Sequence, residues 1–150
     1  MSQTEYKQVN ISAPNLLNIC VDGVENGEIQ GRIYHYYGEE PERFESVLQL
    51  IWVMERYYDR LIFPQSSTET RSFLKERTGP AVNIMKRDKL ISADTLISQT
   101  GKIGTFVTNV KFRQCTTWKG EFWWKEKAIK VFFSSTLEFI RGLDQAVEKQ

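Results

Sequence analysis

The stretch Glu28-Ile-Gln-Gly-Arg-Ile-Tyr34, which continues to Phe44-Glu-Ser-Val-Leu-Gln-Leu-Ile51, recurs in altered form later in the chain. The second copy reads Thr117-Trp-Lys-Gly-Glu-Phe-Trp123 and continues to Phe133-Ser-Ser-Thr-Leu-Glu-Phe-Ile140. A shift of 89 residues superposes the two copies without a gap and aligns their glycines. The chain therefore repeats one structural unit, and the fold follows from what that unit encodes.

Each copy ends in a pattern that is typical of an amphipathic helix. Ser46 is followed three residues later by Gln49, and Ser135 by Glu138, which is the spacing of a capping box. Apolar residues then recur at helical spacing. These patterns predict helices over residues 45–61 and 134–148.

Strands are predicted upstream of each helix. Apolar and polar residues alternate from Ile29 in the first copy and from Trp118 in the second, which is typical of a strand with one buried face. The glycine inside each strand indicates a bulge or a close approach of another segment. Asn26-Gly27 predicts a tight turn before the first of these strands. The remaining predicted strands are residues 15–22, 42–44, 104–115 and 129–133.

The sequence thus predicts a single α+β domain over residues 1–150. Two β-β-β-α repeats, about 15–61 and 104–148, form an antiparallel sheet with two helices on one face. One unit is too small to bury its sheet face alone, so the copies pack together, within one chain or by exchange between chains. The linker, 62–103, lacks a clean apolar period, which indicates irregular structure that could include one short helix.

Composition narrows the cellular context. No run of about eighteen apolar residues is present, which argues against a membrane span. Residues 1–14 lack an apolar core typical of a secretory signal, so we expect a cytoplasmic protein. Cys20 and Cys115 are expected to be reduced thiols in strands, with a disulfide between them as the alternative.

The sequence carries no clear motif of a catalytic site. The single histidine, His35, falls on the buried face of its predicted strand and has no evident cysteine or aspartate partner. No spacing of metal ligands and no glycine-rich phosphate loop stands out. We expect no catalytic residue, no metal and no cofactor, and an enzyme of unknown class ranks third among the functional hypotheses.

The sheet face opposite the helices holds the predicted binding residues. If Trp118 and Phe122 face the helices, the residues between them face away. On the neighbouring strand, Val110 and Phe112 are expected to point inward. The predicted binding residues are Arg32, Tyr34, Tyr36, Lys111, Arg113, Lys119, Trp123 and Lys125.

An aromatic and basic sheet face allows three interpretations. The first is a non-enzymatic adaptor that contacts a protein partner, or a second copy of itself, because interfaces favour aromatic residues and arginine. The alternative is single-stranded DNA or RNA binding, by stacking on rings and attraction to phosphates. The formal charge is −5 for residues 1–65 and +6 for residues 66–150, and the near-neutral total argues against tight nonspecific binding of nucleic acid. The third interpretation is that the linker covers this face.

Four stretches carry a family resemblance. They are Asn26-Gly-Glu-Ile-Gln-Gly-Arg-Ile-Tyr-His-Tyr-Tyr37, Phe63-Pro-Gln-Ser-Ser-Thr-Glu-Thr-Arg-Ser-Phe73, Trp118-Lys-Gly-Glu-Phe-Trp-Trp124 and Phe133-Ser-Ser-Thr-Leu-Glu-Phe-Ile140. Together they resemble a family of small uncharacterised bacterial proteins, mostly of Firmicute type, over most of residues 17–147. That resemblance implies bacterial origin and no assigned activity. The duplicated β-β-β-α unit also resembles the topology of Whirly and PUR-repeat proteins, which bind single-stranded nucleic acid.

Overall fold

A computed structural model of the chain describes residues 11–61, 89–114 and 117–148. These residues form six antiparallel strands in one sheet, with the order β3-β2-β1-β4-β5-β6, and three helices. The α+β fold class is therefore confirmed. The elements in chain order are β1 Leu17–Glu25, β2 Glu28–His35, β3 Glu42–Phe44, α1 Val47–Leu61, α2 Ala93–Ser98, β4 Gly104–Gln114, β5 Thr117–Trp124, β6 Ile129–Phe133 and α3 Thr136–Glu148.

Local signals in the sequence fix the turn between β1 and β2 and the start of each long helix. Asn26 and Gly27 have φ values of 55° and 80°, as a tight turn between twisted strands requires. The Ser46 hydroxyl accepts a hydrogen bond from the Gln49 backbone N–H at 3.1 Å. Ser135 caps α3 in the same way. The long helices therefore begin where the capping boxes indicated.

A β-bulge occurs at the same place in both halves of the sheet. Val21 pairs with Gly31, and the register then shifts by one residue on β1. Val110 pairs with Gly120, and the same shift occurs on β4. A Cβ atom at either glycine would overlap the carbonyl oxygen of the residue before the paired valine, so the close approach predicted for both glycines is confirmed. The duplication itself stays a prediction.

Helices α1 and α3 pack on the same face of the sheet, as predicted. Trp118 of β5 lies between them, with its ring centroid 5.8 Å from that of Tyr58 in α1 and 5.6 Å from that of Phe139 in α3. All three side chains belong to one buried apolar cluster with the inward residues of the strands. This shared core joins the two halves of the described fold.

The opposite face of the sheet is covered in its centre by residues 89–103, here called the cover segment. Its short helix α2, the one predicted for the linker, buries Leu96 and Ile97 against Val107 and Trp123. The Asn18 side-chain amide on β1 donates hydrogen bonds to two carbonyl oxygens of the segment, at 2.8 and 2.9 Å. The cover segment is therefore fastened to the sheet by polar as well as apolar contacts. Residues 62–88 of the predicted linker lie outside the described residues.

Candidate binding surface on the sheet

Two of the three aromatic side chains predicted for the open face, Trp123 and Tyr36, lie beneath the cover segment. Trp123 points away from α1 and α3, as the alternation indicated, but it is only 2% exposed because α2 packs on it. Tyr36 is buried in the same cluster, and its hydroxyl donates a hydrogen bond to the Ile11 carbonyl oxygen. Neither ring is open to a ligand in this structure.

Arg32 and Tyr34 belong to a network at the bulge of β1. The Arg32 guanidinium donates hydrogen bonds to Asp22 at 2.8 and 3.1 Å, to the Tyr34 hydroxyl at 2.6 Å and to the Thr100 carbonyl at 2.9 Å. Burial acts to raise the pKa of Asp22, but hydrogen bonds from Arg32 and the Lys102 backbone hold it below its usual range. These groups hold the cover segment in place.

Lys125 is also tied to the cover segment. Its ammonium group donates a hydrogen bond to the Ile97 carbonyl oxygen at 2.8 Å, at the end of α2. The cationic groups of Lys125 and Arg32 therefore both bind carbonyl oxygens of the cover segment.

Arg113 lies on the helix face of the sheet, where the sequence prediction is wrong. The bulge between Val110 and Phe112 reverses the alternation, because an extra residue on one strand turns each later side chain to the other face. The Arg113 guanidinium lies 3.0 Å from both Glu55 and Asp59 of α1, and the residue is only 4% exposed. For the same reason Phe112, which was expected to be buried, lies on the open face.

Two phenylalanine and three lysine side chains of β4, β5 and β6 lie together on this face beyond the cover segment. Phe112 is 37% exposed and Phe132 is 70% exposed. Lys119 pairs with Phe112 across the strands, with its ammonium nitrogen 5.6 Å from the ring centroid. Lys130 lies 5.9 Å from the ring of Phe132. Together with Lys111, these four residues are here called the aromatic–lysine patch.

Glu121 supplies a buried anchor beneath this patch. Its carboxylate is 3.3 Å from the Lys111 ammonium and 3.7 Å from that of Lys130, while its own side chain is 5% exposed. The ion pairs restrain two lysines at the surface, and Lys119 is exposed beside them. Three lysines against one carboxylate leave the patch with a net charge of +2.

The two halves of the sheet carry the same ion pair with the charges exchanged. In the first half the bulge residue Asp22 pairs with Arg32 of the next strand. In the second half the bulge residue Lys111 pairs with Glu121. In the first pair, Arg32 also donates a hydrogen bond to the Thr100 carbonyl oxygen of the cover segment, whereas Lys111 of the second pair is exposed. The part of the second half around Lys111 is therefore open, whereas Val107 and Trp123 of the same half lie beneath α2.

Lys111 and Lys119 of the aromatic–lysine patch were predicted from the sequence as binding residues, whereas Phe112, Lys130 and Phe132 were not. The signal for Phe112 was Gly120, since a bulge opposite that glycine reverses the side chains that follow on β4. Phe132 and Lys130 could have been found from the alternation within residues 129–133. Phe133 aligns with Phe44, and both are buried in the core, so the even-numbered residues of this strand face the other way.

His35 lies in a buried aromatic environment between β2 and α1. Its ring stacks on Tyr57 with centroids 4.2 Å apart, and its Nδ1 accepts a hydrogen bond from the Tyr37 backbone N–H at 3.1 Å. Burial, with a smaller contribution from Arg60, lowers the pKa of His35 to about 4. The imidazole is therefore neutral near pH 7 and acts as an acceptor in the β2–β3 connection.

Acidification is expected to destabilise the protein through His35. The pKa is about 4 in the folded chain against 6.5 in an unperturbed histidine, so the unfolded chain binds the proton first as the pH falls through this window. The free energy of unfolding should drop by about 2 kcal/mol between pH 7 and pH 4.5. Urea titrations at both pH values measure this loss in the wild type and in His35→Phe, which keeps a ring on Tyr57. An equal pH dependence in both proteins would contradict it.

Cys20 is a free thiol whose burial raises its pKa to about 12, which keeps it protonated and unreactive. Within residues 11–61, 89–114 and 117–148, no cluster of three or more His, Cys, Asp or Glu is placed to hold a metal ion. The helices described are all too short or too polar to span a membrane.

Comparison of the chain with protein-family models, with curated proteins and with solved structures found no match. The resemblance to uncharacterised bacterial proteins and to the Whirly and PUR-repeat topology therefore remains a prediction.

Proposed function

We propose that this protein binds single-stranded nucleic acid through the aromatic–lysine patch. The proposal is supported mainly by two exposed phenylalanine rings and three lysines on the part of one sheet face that the cover segment does not reach. Sheets that bind single strands use aromatic rings as stacking platforms for bases and lysine or arginine for the phosphates. Phe112 and Phe132 fit the first role, and the three lysines fit the second.

Binding of a protein partner, the first expectation from the sequence, receives less support from the same face. Trp123 and Tyr36, which were expected to contact the partner, are buried beneath the cover segment. Arg113 is held on the opposite face by α1. What remains open is rich in lysine, a residue that is depleted in the cores of protein interfaces. We therefore place nucleic-acid binding first and a protein partner second.

A single strand suits the patch better than a duplex. The faces of the bases are available for stacking on Phe112 and Phe132 only when the bases are unstacked from one another. The patch lies on a sheet and presents no helix to enter a major groove. Because the chain carries a formal net charge of only +1, affinity should be modest and confined to low and moderate salt.

The test is fluorescence anisotropy of labelled single-stranded DNA and RNA at low salt. The double variant Phe112→Ala, Phe132→Ala should weaken binding by at least about tenfold, because each stacked base contributes about 1 kcal/mol or more. Both rings are exposed, so the fold should persist, which circular dichroism can verify.

Trp52→Ala is the matched control for this experiment. Trp52 is an exposed aromatic residue of α1, on the other side of the sheet from the patch. Its replacement should leave affinity unchanged. Equal losses in the two variants, or preferential binding of duplex DNA, would contradict the proposal.

A further inference from the structure

Strand β6 is an edge of the sheet with features of a pairing surface. It is the last strand in the sheet order, and its outer side has no strand partner among the described residues. A free edge presents backbone N–H and C=O groups that can pair with another strand. Ile129 is exposed on the helix face and Phe132 on the opposite face, so apolar side chains flank this edge on both sides.

The other edge of the sheet lacks these features. Strand β3 has three residues, Glu42–Phe44, and two of them are charged. Short and charged edges are the usual protection against pairing between molecules. β6 has five residues, and its one charged side chain, Lys130, is engaged by Glu121. The two edges therefore differ in their capacity to accept a further strand.

We propose that β6 pairs antiparallel with β6 of a second copy of this chain, about a two-fold axis at Val131. This register pairs all five residues of each strand. It places Lys130 of one copy beside Phe132 of the other on the patch face, a contact between an ammonium group and an aromatic ring. A register centred on Lys130 would instead bring two ammonium groups together, which is unfavourable.

The pairing would join the aromatic–lysine patches of two copies into one surface. β6 carries two patch residues, Lys130 and Phe132, so the patches would meet at the two-fold axis on one face of a continuous sheet. Each copy would thus contribute residues to the site of the other. The inference deepens the proposed function, since a surface twice as wide can hold a longer single strand, but the pairing itself requires no nucleic acid.

The first test is analytical ultracentrifugation of the full-length protein without nucleic acid, over a concentration series up to about 200 μM, because a five-residue edge contact gives a small interface. The wild type should dimerise. Phe132→Lys should raise the dimer dissociation constant by at least about tenfold, because it places like charges opposite each other at Lys130 of the second copy.

Phe132→Glu is the matched variant, since it removes the same ring and introduces the opposite charge. It should retain the dimer by pairing with Lys130 of the second copy. Within one chain, Glu121 lies opposite position 132, so the monomer itself should be more stable with lysine there than with glutamate. The order of stability expected for the dimer is the reverse, which separates the two effects. Equal weakening in the two variants, or a wild type that is monomeric throughout, would overturn the proposal.

Cross-linking tests the register directly. Under mild oxidation, Val131→Cys should yield a covalent dimer, because the two substituted positions face each other on the axis at a separation that a disulfide can span. Glu25→Cys, at the exposed end of β1, should not. Absence of the cross-link would overturn the register. A monomeric wild type would leave nucleic-acid binding standing, whereas a dimer that binds no oligonucleotide would count against the proposed function alone.

Discussion

Replacing Gly31 or Gly120 by alanine is expected to lower the free energy of unfolding by about 3 kcal/mol or more. A Cβ atom at Gly31 would overlap the Cys20 carbonyl oxygen, and one at Gly120 would overlap that of Asn109. The obstacle in each case is backbone, which cannot rotate away as the end of a side chain can. The bulge would have to open, and with it the ladder between neighbouring strands.

Gly23→Ala is the control for both substitutions. Gly23 lies beside the first bulge, and a Cβ atom there would meet nothing within 4 Å. Alanine at such a position should leave stability unchanged or raise it by less than about 1 kcal/mol, by restricting the unfolded chain. Urea denaturation of the three variants and the wild type measures the difference. Similar effects at all three positions would contradict a special role for the bulge glycines.

Arg113→Ala is expected to cost about 2 kcal/mol of stability, well above the cost of Lys111→Ala. Arg113 is buried between β4 and α1 and lies 3.0 Å from both Glu55 and Asp59. Its removal leaves the Glu55 carboxylate without this cation in a half-buried site, where an uncompensated charge is unfavourable. The exposure of Asp59 and of part of Glu55 keeps the cost below that of a fully buried pair.

Lys111→Ala should cost less than about 1 kcal/mol, because Lys111 is exposed and Glu121 keeps Lys130 as a partner. Arg113→Met separates charge from packing, since it keeps the apolar stem but removes the guanidinium. Thermal and urea unfolding of the three variants provide the comparison. Equal costs for Arg113→Ala and Lys111→Ala would contradict the inversion of faces at the bulge.

The fold was predictable because its signals are local. The capping boxes at Ser46 and Ser135, the Asn26-Gly27 turn and the alternation within the strands each depend on a few neighbouring residues. The order of the six strands, in which β1 pairs with β4, was not predicted from the sequence. The alignment of Gly31 with Gly120 indicated that both strands needed a bulge or a close approach at that point, and the structure has both.

The binding surface was harder to predict because it depends on where the bulge and the linker lie. A bulge shifts the alternation by one residue, so Phe112 and Arg113 exchanged faces although the residues before the bulge were placed correctly. The burial of Trp123 depends on α2, whose position over the sheet is set by contacts distant in sequence, such as the one from Asn18 to Leu96. Neither the exchange of faces nor the burial of Trp123 can be recognised from the sequence of the strand in which it occurs.

The most direct test of the patch as a nucleic-acid surface is the salt dependence of single-strand binding. Three lysines on phosphates predict a slope of about −2 for the logarithm of the association constant against the logarithm of salt concentration. Lys119→Ala should reduce that slope by about 0.7. A slope near zero, a slope unchanged in Lys119→Ala, or no binding at low salt would contradict single-strand recognition by this face.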